Sequence, residues 1–338
     1  MKGWKLTAPL KLEEKELAEG LEKNSRAKVK VTKALITLAD VLRYNGELDV
    51  DGFVLGSSGI GIVSEIQTNL FGLEKGKHVY IEPNRPCNDC VNCKSGNVSA
   101  CSNLQIAGED FDGFLSDFVE TDTNNLFLLP DSVSDFEALF IKHIALAITV
   151  VDKLKIQKGD YVAIVGANNF GNILAQLLIY YQAVPIVIAS NTEDYNIAKD
   201  SGIYYVLNKD DNWQKEVMQI TSGRMTESVV FISDCNIPAT KAFSLAAFNA
   251  RVAYTGVSYK NNSVSFTQAV RKQLQIICVN SGIGNTAAGI NLIANKALNL
   301  SHLRLDSANY ESVPQTLKSM SETLDKTDKI YETIVEMV

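Results

Sequence analysis

The chain of 338 residues is 46% hydrophobic and 21% charged, a composition typical of a globular protein rather than a disordered or fibrous one. Its formal net charge of −7 argues against nucleic acid or an anionic membrane as the main partner, because both are bound by clustered positive charge. A chain of this length usually forms two domains, and we expect a small molecule as the ligand.

The amino-terminal segment MKGWKLTAPLKLEEKELAEG lacks the continuous apolar stretch of a secretory signal. No later segment reaches the roughly 20 apolar residues of a membrane span. We therefore expect a cytoplasmic protein. In a reducing compartment its cysteines favour metal binding or free thiols over disulfides.

Residues 1 to about 130 consist mainly of short runs in which apolar and polar residues alternate, such as AKVKVT and HVYIEP. Gly, Asn and Pro residues separate these runs, and that combination is typical of strands joined by turns. The pattern predicts a β-rich first domain.

From about residue 135 apolar runs alternate with helix-like segments. The runs are YVAIV, PIVIAS, YYVLN, SVVFISD, RVAYTGV and QIICVN. This alternation predicts an α/β domain with a doubly wound parallel sheet, and six strands are the number in a complete dinucleotide-binding fold. After about residue 296 we expect the chain to return to the first domain, with a polar helix that runs to Val338.

Four of the six cysteines are clustered in the segment CNDCVNCKSGNVSAC, at Cys87, Cys90, Cys93 and Cys101. Four thiolates at this spacing can surround one ion tetrahedrally, and a site with no open position is structural rather than catalytic. The segment therefore predicts a structural zinc lobe at about residues 84–104. Four ordinary thiols, two disulfides and an iron–sulfur cluster are alternatives for the same residues.

The segment VAIVGANNFGNILAQL follows a predicted strand and opens a helix, as a dinucleotide fingerprint does. Gly166 would form the tight turn, and Gly171 would allow close packing of the helix on the strand. Asn168 stands at the middle position, where glycine normally lets the pyrophosphate approach the backbone. Together with Asn169 and Phe170 at the helix start, these residues are candidates for cofactor binding.

About 20 positions further on, the fingerprint expects an acidic residue that binds the ribose hydroxyls of NAD. The sequence there is VIASNTED, so Ala189 takes that place and Ser190 and Asn191 follow it. The missing carboxylate removes a charge that would repel the 2′-phosphate of NADP, but no Arg or Lys attracts one. NAD and NADP are both open as cofactors, with Ser190 and Asn191 as candidate ribose contacts.

The whole chain resembles the medium-chain zinc-containing alcohol dehydrogenase/reductase family, and within it the sorbitol and polyol dehydrogenase branch. The resemblance is carried by MKGWKLTAP, DVLRYNGE, the four-cysteine lobe, DGFLSDFV, LFLLPDSVS, KGDYVAIVGANNFG and RVAYTGV. It implies a GroES-like β-rich domain at residues 1–134 and 297–338, with a Rossmann domain inserted at 135–296. It also implies that Cys87, Cys90, Cys93 and Cys101 hold the family's structural zinc.

The same resemblance predicts that the catalytic zinc ligands have been replaced. Where relatives carry Cys-Gly-Thr/Ser-Asp, this chain reads TLAD, with Thr37 in place of the Cys and Ala39 in place of the relay hydroxyl. Where relatives carry Gly-His-Glu, this chain has a glycine followed by Ser57 and Ser58. Where relatives carry Ile-Glu-Pro, it has Ile-Lys-His, which puts Lys142 at the carboxylate position.

These replacements are poor ligands for a catalytic zinc, which needs three ligands of the imidazole, thiolate or carboxylate type. An ammonium at Lys142 would also repel a dication. A single imidazole at His143 cannot rebuild a three-ligand site, so we expect this site to contain no zinc.

Two classes of function follow. In the first, the protein is an NAD(P)-dependent oxidoreductase that acts without a catalytic metal on CH–OH/C=O or a conjugated C=C. Lys142 then stabilises charge on a substrate oxygen, and Thr37, Ser57 or Tyr44 orients the substrate. In the second, the protein is a noncatalytic relative with a binding or assembly role. For either class we expect a homodimer or homotetramer, and the substrate cannot be read from the sequence.

Overall fold

A computed structural model describes residues 1–17, 26–50, 52–67, 72–233, 237–257, 264–327 and 329–337. The chain divides into two compact units. The first comprises residues 1–142, 286–294 and 304–338, and the second comprises residues 143–285 and 295–303. The sequence-based boundaries were wrong in two places: residues 135–142 and 286–294 belong to the first unit, and residues 297–303 belong to the second.

The elements are numbered in chain order. The strands are β1 (Lys2–Ala8), β2 (Lys11–Glu16), β3 (Arg26–Ile36), β4 (Ser58–Ile66), β5 (His78–Ile81), β6 (Asn84–Arg85), β7 (Gln105–Ile106), β8 (Phe118–Asp122), β9 (Leu126–Leu128), β10 (Tyr161–Val165), β11 (Val184–Ala189), β12 (Tyr205–Asn208), β13 (Thr226–Ile232), β14 (Ala246–Thr255), β15 (Gln275–Val279), β16 (Asp306–Asn309) and β17 (Thr333–Glu336). The helices are α1 (Leu38–Asn45), α2 (Val91–Lys94), α3 (Asp135–Leu139), α4 (Ile141–Leu154), α5 (Asn169–Tyr180), α6 (Thr192–Asp200), α7 (Trp213–Ile220), α8 (Thr240–Leu245), α9 (Thr267–Lys272), α10 (Thr286–Ala294) and α11 (Val313–Thr327).

The first unit is built on a seven-stranded sheet. Its order is β16-β17-β3-β4-β5-β9, and β8 also pairs with β3. Along β3 the side chains of Ala27, Val29 and Val31 are fully buried, while Lys28 and Lys30 between them are not. This alternation is the period of a strand with one face on the core, so the predicted β-rich domain is present.

The carboxyl-terminal segment differs from the predicted helix that runs to Val338. Helix α11 ends at Thr327, and β17 follows it as a separate strand. β17 pairs antiparallel with β3, with Val335 opposite Ala34, and both of these side chains are fully buried. The segment TIVE is too short for its alternation to stand out beside a long helical pattern, and pairing with β3 determines its conformation.

The second unit contains the six predicted strands, all parallel, in the order β12-β11-β10-β13-β14-β15. Four consecutive residues of β10, Val162 to Val165, are fully buried. Burial of consecutive residues means that both faces of the sheet are covered, as in a doubly wound fold. The predicted fold class is therefore confirmed.

In the described part of the chain, no helix combines the length and the apolar character that crossing a membrane requires.

Candidate functional site

The four clustered cysteines come together in space. Their sulfur atoms all lie within 4.8 Å of one another, with 4.0 Å between Cys87 and Cys93 and 4.0 Å between Cys90 and Cys101. Four sulfur atoms that bind one zinc ion at about 2.3 Å are separated from one another by similar distances. The donor set and its geometry therefore fit one tetrahedral metal ion.

Backbone amides of the same loop point at these sulfurs. The N–H of Cys90 donates to Cys87 Sγ at 3.4 Å, and the N–H of Cys93 donates to Cys90 Sγ at 3.5 Å. The second of these contacts is the main cause that lowers the pKa of Cys90 to about 5. Amide donors of this kind favour the thiolate form, which is the form that binds metal.

A second group of side chains surrounds the start of α1 and the turn before β4. Thr37 Oγ1 lies 3.2 Å from Ser57 Oγ, and the ammonium of Lys142 donates to the Ser57 carbonyl oxygen at 3.2 Å. The structure thus brings together three of the four residues that the sequence proposed as catalytic. We call Thr37, Ser57, Lys142 and the neighbouring Asp40 the lysine cluster.

Within the lysine cluster, Asp40 holds Thr37 and the turn before Ser57 in place. One of its carboxylate oxygens accepts from the Thr37 backbone N–H at 2.8 Å and from Thr37 Oγ1 at 2.9 Å. The other accepts from the Gly56 N–H at 2.8 Å, and the side chain is only 1% exposed. Three donors on one buried carboxylate fix both the helix start and the turn that carries Ser57.

The donors and acceptors in this group can be assigned. Thr37 has a single hydroxyl proton and gives it to Asp40, so Ser57 must be the donor in its contact with Thr37. Ser57 then points its proton toward Thr37 and keeps its lone pairs for another donor. The arrangement is a chain of hydrogen bonds from Ser57 through Thr37 to Asp40.

Lys142 is half-buried, and burial lowers the pKa of its ammonium group. The negative charges of Asp40, Glu332 and Glu82 act in the opposite direction, in that order of size. A lysine in this setting releases a proton more readily than a lysine in water.

Sequence reasoning missed Glu82, which lies just after β5 and is 7% exposed. Its carboxylate accepts from the side-chain amide of Asn84 at 2.8 Å and from the hydroxyl of Thr286. Burial raises the pKa of Glu82, and these hydrogen bonds partly offset that effect. The signal in the sequence was a glutamate directly after the strand HVYI, because the residue that follows a buried strand is expected to be buried too.

The remaining predicted positions lie outside this group of contacts. Ser58 is fully buried, and its hydroxyl points to the Leu139 carbonyl oxygen at 3.5 Å. Tyr44 is buried near the far end of α1, about 10 Å along the helix axis from Thr37 at 1.5 Å per residue. His143 lies beside Phe170 in the second unit, with 6.5 Å between ring centroids and the rings tilted by 41°.

The lysine cluster does not fit a catalytic zinc ion. The two hydroxyls contact each other, the ammonium donates to the Ser57 carbonyl oxygen, and the one carboxylate of Asp40 is already bound by three donors. Among the described residues, the four cysteines are the one group of three or more His, Cys, Asp or Glu side chains placed to share an ion.

The glycine-rich turn of the second unit fits a bound dinucleotide at two of its three positions. Gly166 has φ +120°, and a Cβ on Gly171 would lie 2.1 Å from the Gly166 carbonyl oxygen. The turn therefore needs glycine at both places, as a close helix–strand contact does. At the middle position, Asn168 forms the N-cap of α5.

At the end of β11, Ala189 pairs with Asn208 and offers no charged group. Asn191 caps α6, and its side-chain amide donates to Ser190 Oγ at 3.2 Å and to Asp194 at 2.7 Å. These polar groups suit ribose hydroxyls, and they do not separate NAD from NADP.

The two units together define a class of protein. Residues 23–131 match the sequence model described as the alcohol dehydrogenase GroES-like domain, and residues 170–295 match the one described as zinc-binding dehydrogenase. A GroES-like unit combined with a six-stranded Rossmann sheet is the architecture of a two-domain dehydrogenase. The chain belongs to the medium-chain zinc-type alcohol dehydrogenase/reductase family, as the sequence predicted.

Two relatives illustrate the sequence similarity. An uncharacterized zinc-type alcohol dehydrogenase-like protein of Haemophilus influenzae is 25% identical over 293 residues, which cover 86% of this chain and 82% of the relative. Sorbitol dehydrogenase of Bacillus subtilis is 23% identical over 290 residues, which cover 84% of this chain and 80% of the relative.

Two solved structures share the fold. The rspB alcohol dehydrogenase of Escherichia coli CFT073, complexed with NADH, has a TM-score of 0.86 at 21% identity and covers 99% of both chains. A zinc-binding dehydrogenase of Sinorhizobium meliloti, bound to NADP, has a TM-score of 0.85 at 18% identity and covers 99% of this chain and 98% of that chain. At such identities the likeness shows the fold alone.

The buried Glu82 generates a pH prediction. Because its folded pKa lies above the ordinary value of 4.5, the folded state holds the proton more tightly than the unfolded state. Its contribution to stability is therefore present at acid pH and is lost as pH rises from about 4.5 through the raised pKa. Relative to Glu82→Gln, the wild type should lose stability over this range, with a slope of at most about 1.4 kcal/mol per pH unit.

Urea unfolding at several pH values would measure this difference. Thr286→Val is the matched variant, because it keeps the carboxyl group but removes a donor that lowers the pKa of Glu82. The pH-dependent loss of stability in Thr286→Val should extend to higher pH than the loss in the wild type. Parallel curves for the wild type and Glu82→Gln would contradict the assignment.

Proposed function

We propose that the protein is an NAD(P)-dependent oxidoreductase that retains a structural zinc and works without a catalytic zinc. The observation that carries this proposal is the lysine cluster. In it the Thr37 and Ser57 hydroxyls are in contact and the Lys142 ammonium binds the Ser57 carbonyl oxygen, where the family resemblance would place the catalytic zinc site. The substrate class is a carbonyl, its alcohol, or a conjugated double bond.

Lys142 is the electrophile in this proposal. A cation in a partly desolvated site stabilises negative charge that develops on a substrate oxygen during reduction. The lowered pKa of Lys142 also suits it to give that oxygen a proton once hydride has reached the neighbouring carbon. The ammonium thus polarises the substrate oxygen in place of a metal ion. It does not lower the pKa of a bound water molecule, as a metal ion does.

Thr37 and Ser57 orient the substrate. Ser57 donates toward Thr37, so its oxygen is left as an acceptor for a substrate hydroxyl. Asp40 accepts from the Thr37 hydroxyl, and it holds the turn that carries Ser57 through the Gly56 N–H. The proposal gives no role to Tyr44, which lies at the far end of α1.

The dinucleotide site of the proposal is the turn after β10 and the end of β11. Gly166, Asn168, Asn169, Phe170 and Gly171 would hold the pyrophosphate at the amino terminus of α5. The residues that would contact the adenine-side ribose are Ser190 and Asn191. When bound, NAD or NADP supplies or accepts the hydride.

A noncatalytic binding or assembly role is the alternative, and one contact favours it. Lys142 already donates to the Ser57 carbonyl oxygen, so the ammonium also serves as an internal link between α4 and the turn before β4. In this alternative Lys142 is structural, and the protein has no need to bind a dinucleotide.

The zinc part of the proposal leads to a stoichiometry. The four-cysteine lobe should keep one tightly bound zinc ion per chain, because a closed thiolate site needs no water or substrate to complete it. A reducing compartment such as the cytoplasm would keep these thiols available, and we propose that location. Elemental analysis after dialysis against a mild chelator should give a zinc-to-protein ratio near one.

The Cys90→Ser variant is the matched control, and it should lower that ratio well below one. A ratio near two in the wild type would show that the lysine cluster holds a metal, and it would contradict the loss of the catalytic site.

The lysine part of the proposal leads to an activity test. Titration with NADH and NADPH, followed by quenching of Trp fluorescence, should show binding of at least one of them. The protein should not oxidise sorbitol, with or without added zinc. Reductase activity on an activated carbonyl should fall about 100-fold in Lys142→Met, because one electrostatic stabiliser of the transition state is gone.

Lys158→Met is the control, since it removes an exposed lysine of similar length. It should retain full activity, and Lys142→Met should bind the dinucleotide as the wild type does. Absence of binding by either cofactor at millimolar concentration would favour the noncatalytic alternative. Full activity of Lys142→Met would contradict the proposed role of Lys142 as the electrophile.

We also propose that two copies of the chain associate through β15, giving the homodimer, or half of the homotetramer, that the sequence led us to expect. In the described residues β15 pairs on one side only, with β14, and Ile276 and Cys278 on it are exposed. The unpaired backbone N–H and C=O groups of β15 can pair with those of β15 in a second copy, when a two-fold axis relates the two copies.

Ile276→Lys should shift the molar mass in light scattering toward the monomer, because charges on an edge strand oppose pairing. Met218→Lys on α7, which changes another exposed apolar side chain, is the control and should leave the mass unchanged. A monomeric wild type would contradict this proposal.

A further inference from the structure

Helix α5 begins with a side-chain cap of its own. Asn168, the N-cap residue, accepts a hydrogen bond on Oδ1 from the Gly171 N–H at 3.0 Å. Gly171 supplies one of the first-turn amides that no carbonyl inside the helix can satisfy. The same amides are the donors that an anion uses when it binds at the amino terminus of a helix.

The rest of this turn is built as a dinucleotide site requires. Gly166 takes a positive φ, and the close approach of Gly171 to the Gly166 carbonyl oxygen leaves no space for a Cβ. Asn168 itself has φ −64° and ψ −177°, an ordinary extended conformation that needs no glycine. The departure from the fingerprint therefore lies in the side chain at residue 168 and not in the path of the backbone.

We propose that Asn168 is an internal cap that competes with the pyrophosphate of the dinucleotide for the amino terminus of α5. This inference rests on the proposed function, in which this turn binds NAD or NADP. The Asn168 oxygen occupies the Gly171 N–H, which is one of the first-turn amides that a phosphate oxygen would use at this helix end. In this proposal a phosphate that binds the Gly171 amide has to displace the side-chain oxygen, and the competition lowers the affinity of the wild type.

The opposite reading is that the side-chain amide of Asn168 donates to the phosphate and raises the affinity. The two readings predict opposite signs for removal of the side chain. They also differ for a carboxylate at residue 168, because a carboxylate keeps the cap and adds negative charge beside the phosphates.

Isothermal titration of the full-length protein with NADH, NADPH and inorganic pyrophosphate tests the inference. Asn168→Gly should lower the Kd for the dinucleotide about tenfold, or ~1.4 kcal/mol, because the competing oxygen and the Cβ are both gone. Glycine is accepted at N-cap positions, so this variant should fold. Asn168→Asp should raise the Kd about tenfold, and its unfolding temperature without ligand should not fall below that of the wild type.

The matched control is Asn212→Gly. Asn212 caps α7 in the same way, accepting from the Lys215 N–H at 3.2 Å, but α7 follows no glycine-rich turn. This variant loses an equivalent cap, and its Kd for the dinucleotide should equal that of the wild type.

The outcomes separate this inference from the proposed function. Tighter binding by Asn168→Gly supports the inference even where the wild type shows no binding, and in that case the proposed function fails for the natural chain. Equal or weaker binding by Asn168→Gly overturns the inference, while binding by the wild type leaves the function standing. Absence of binding in all variants overturns both.

Discussion

The carboxylate of Asp40 joins two segments that are distant in sequence, and the lysine cluster depends on it. Its oxygens accept from the start of α1 and from the Gly56 N–H, so the helix and the turn before β4 are held by one buried group. A buried carboxylate with three donors resists displacement, because breaking any contact would leave a polar group unsatisfied in the core. The positions of Thr37 and Ser57 follow from this constraint, and the Ser57 carbonyl in turn anchors Lys142.

The ammonium of Lys142 and the carboxylate of Glu82 affect each other's pKa. Glu82 lies close enough to Lys142 to raise the pKa of that lysine, while burial raises its own. A single positive charge balances fewer carboxylates than a metal ion does. The surroundings compensate with hydrogen bonds, because Asn84 and Thr286 donate to Glu82 and take part of the role that a counter-charge would have.

The architecture could be predicted from sequence because its signals are local and repeated. The inner strands of the Rossmann sheet, such as β10, are short apolar runs because they are buried on both faces. The strand β17 was missed because its four residues are set by pairing with β3, a contact about 300 positions away in the chain. For the same reason Glu82 was missed, since its partner Thr286 lies 204 positions further on. Motif spacing located Lys142, but only the fold shows that its ammonium meets the Ser57 carbonyl.

The four-cysteine lobe has a further consequence for how the protein behaves as a folded chain. No side chain between residues 85 and 104 is buried, so the segment has no hydrophobic core of its own. Its order comes from sulfur chemistry and short-range hydrogen bonds instead of apolar burial. Because no apolar burial holds it, we expect this lobe to lose its order more easily than the large sheet does. Oxidation of the thiols should therefore disorder the lobe under conditions that leave the apolar core of the sheet unchanged.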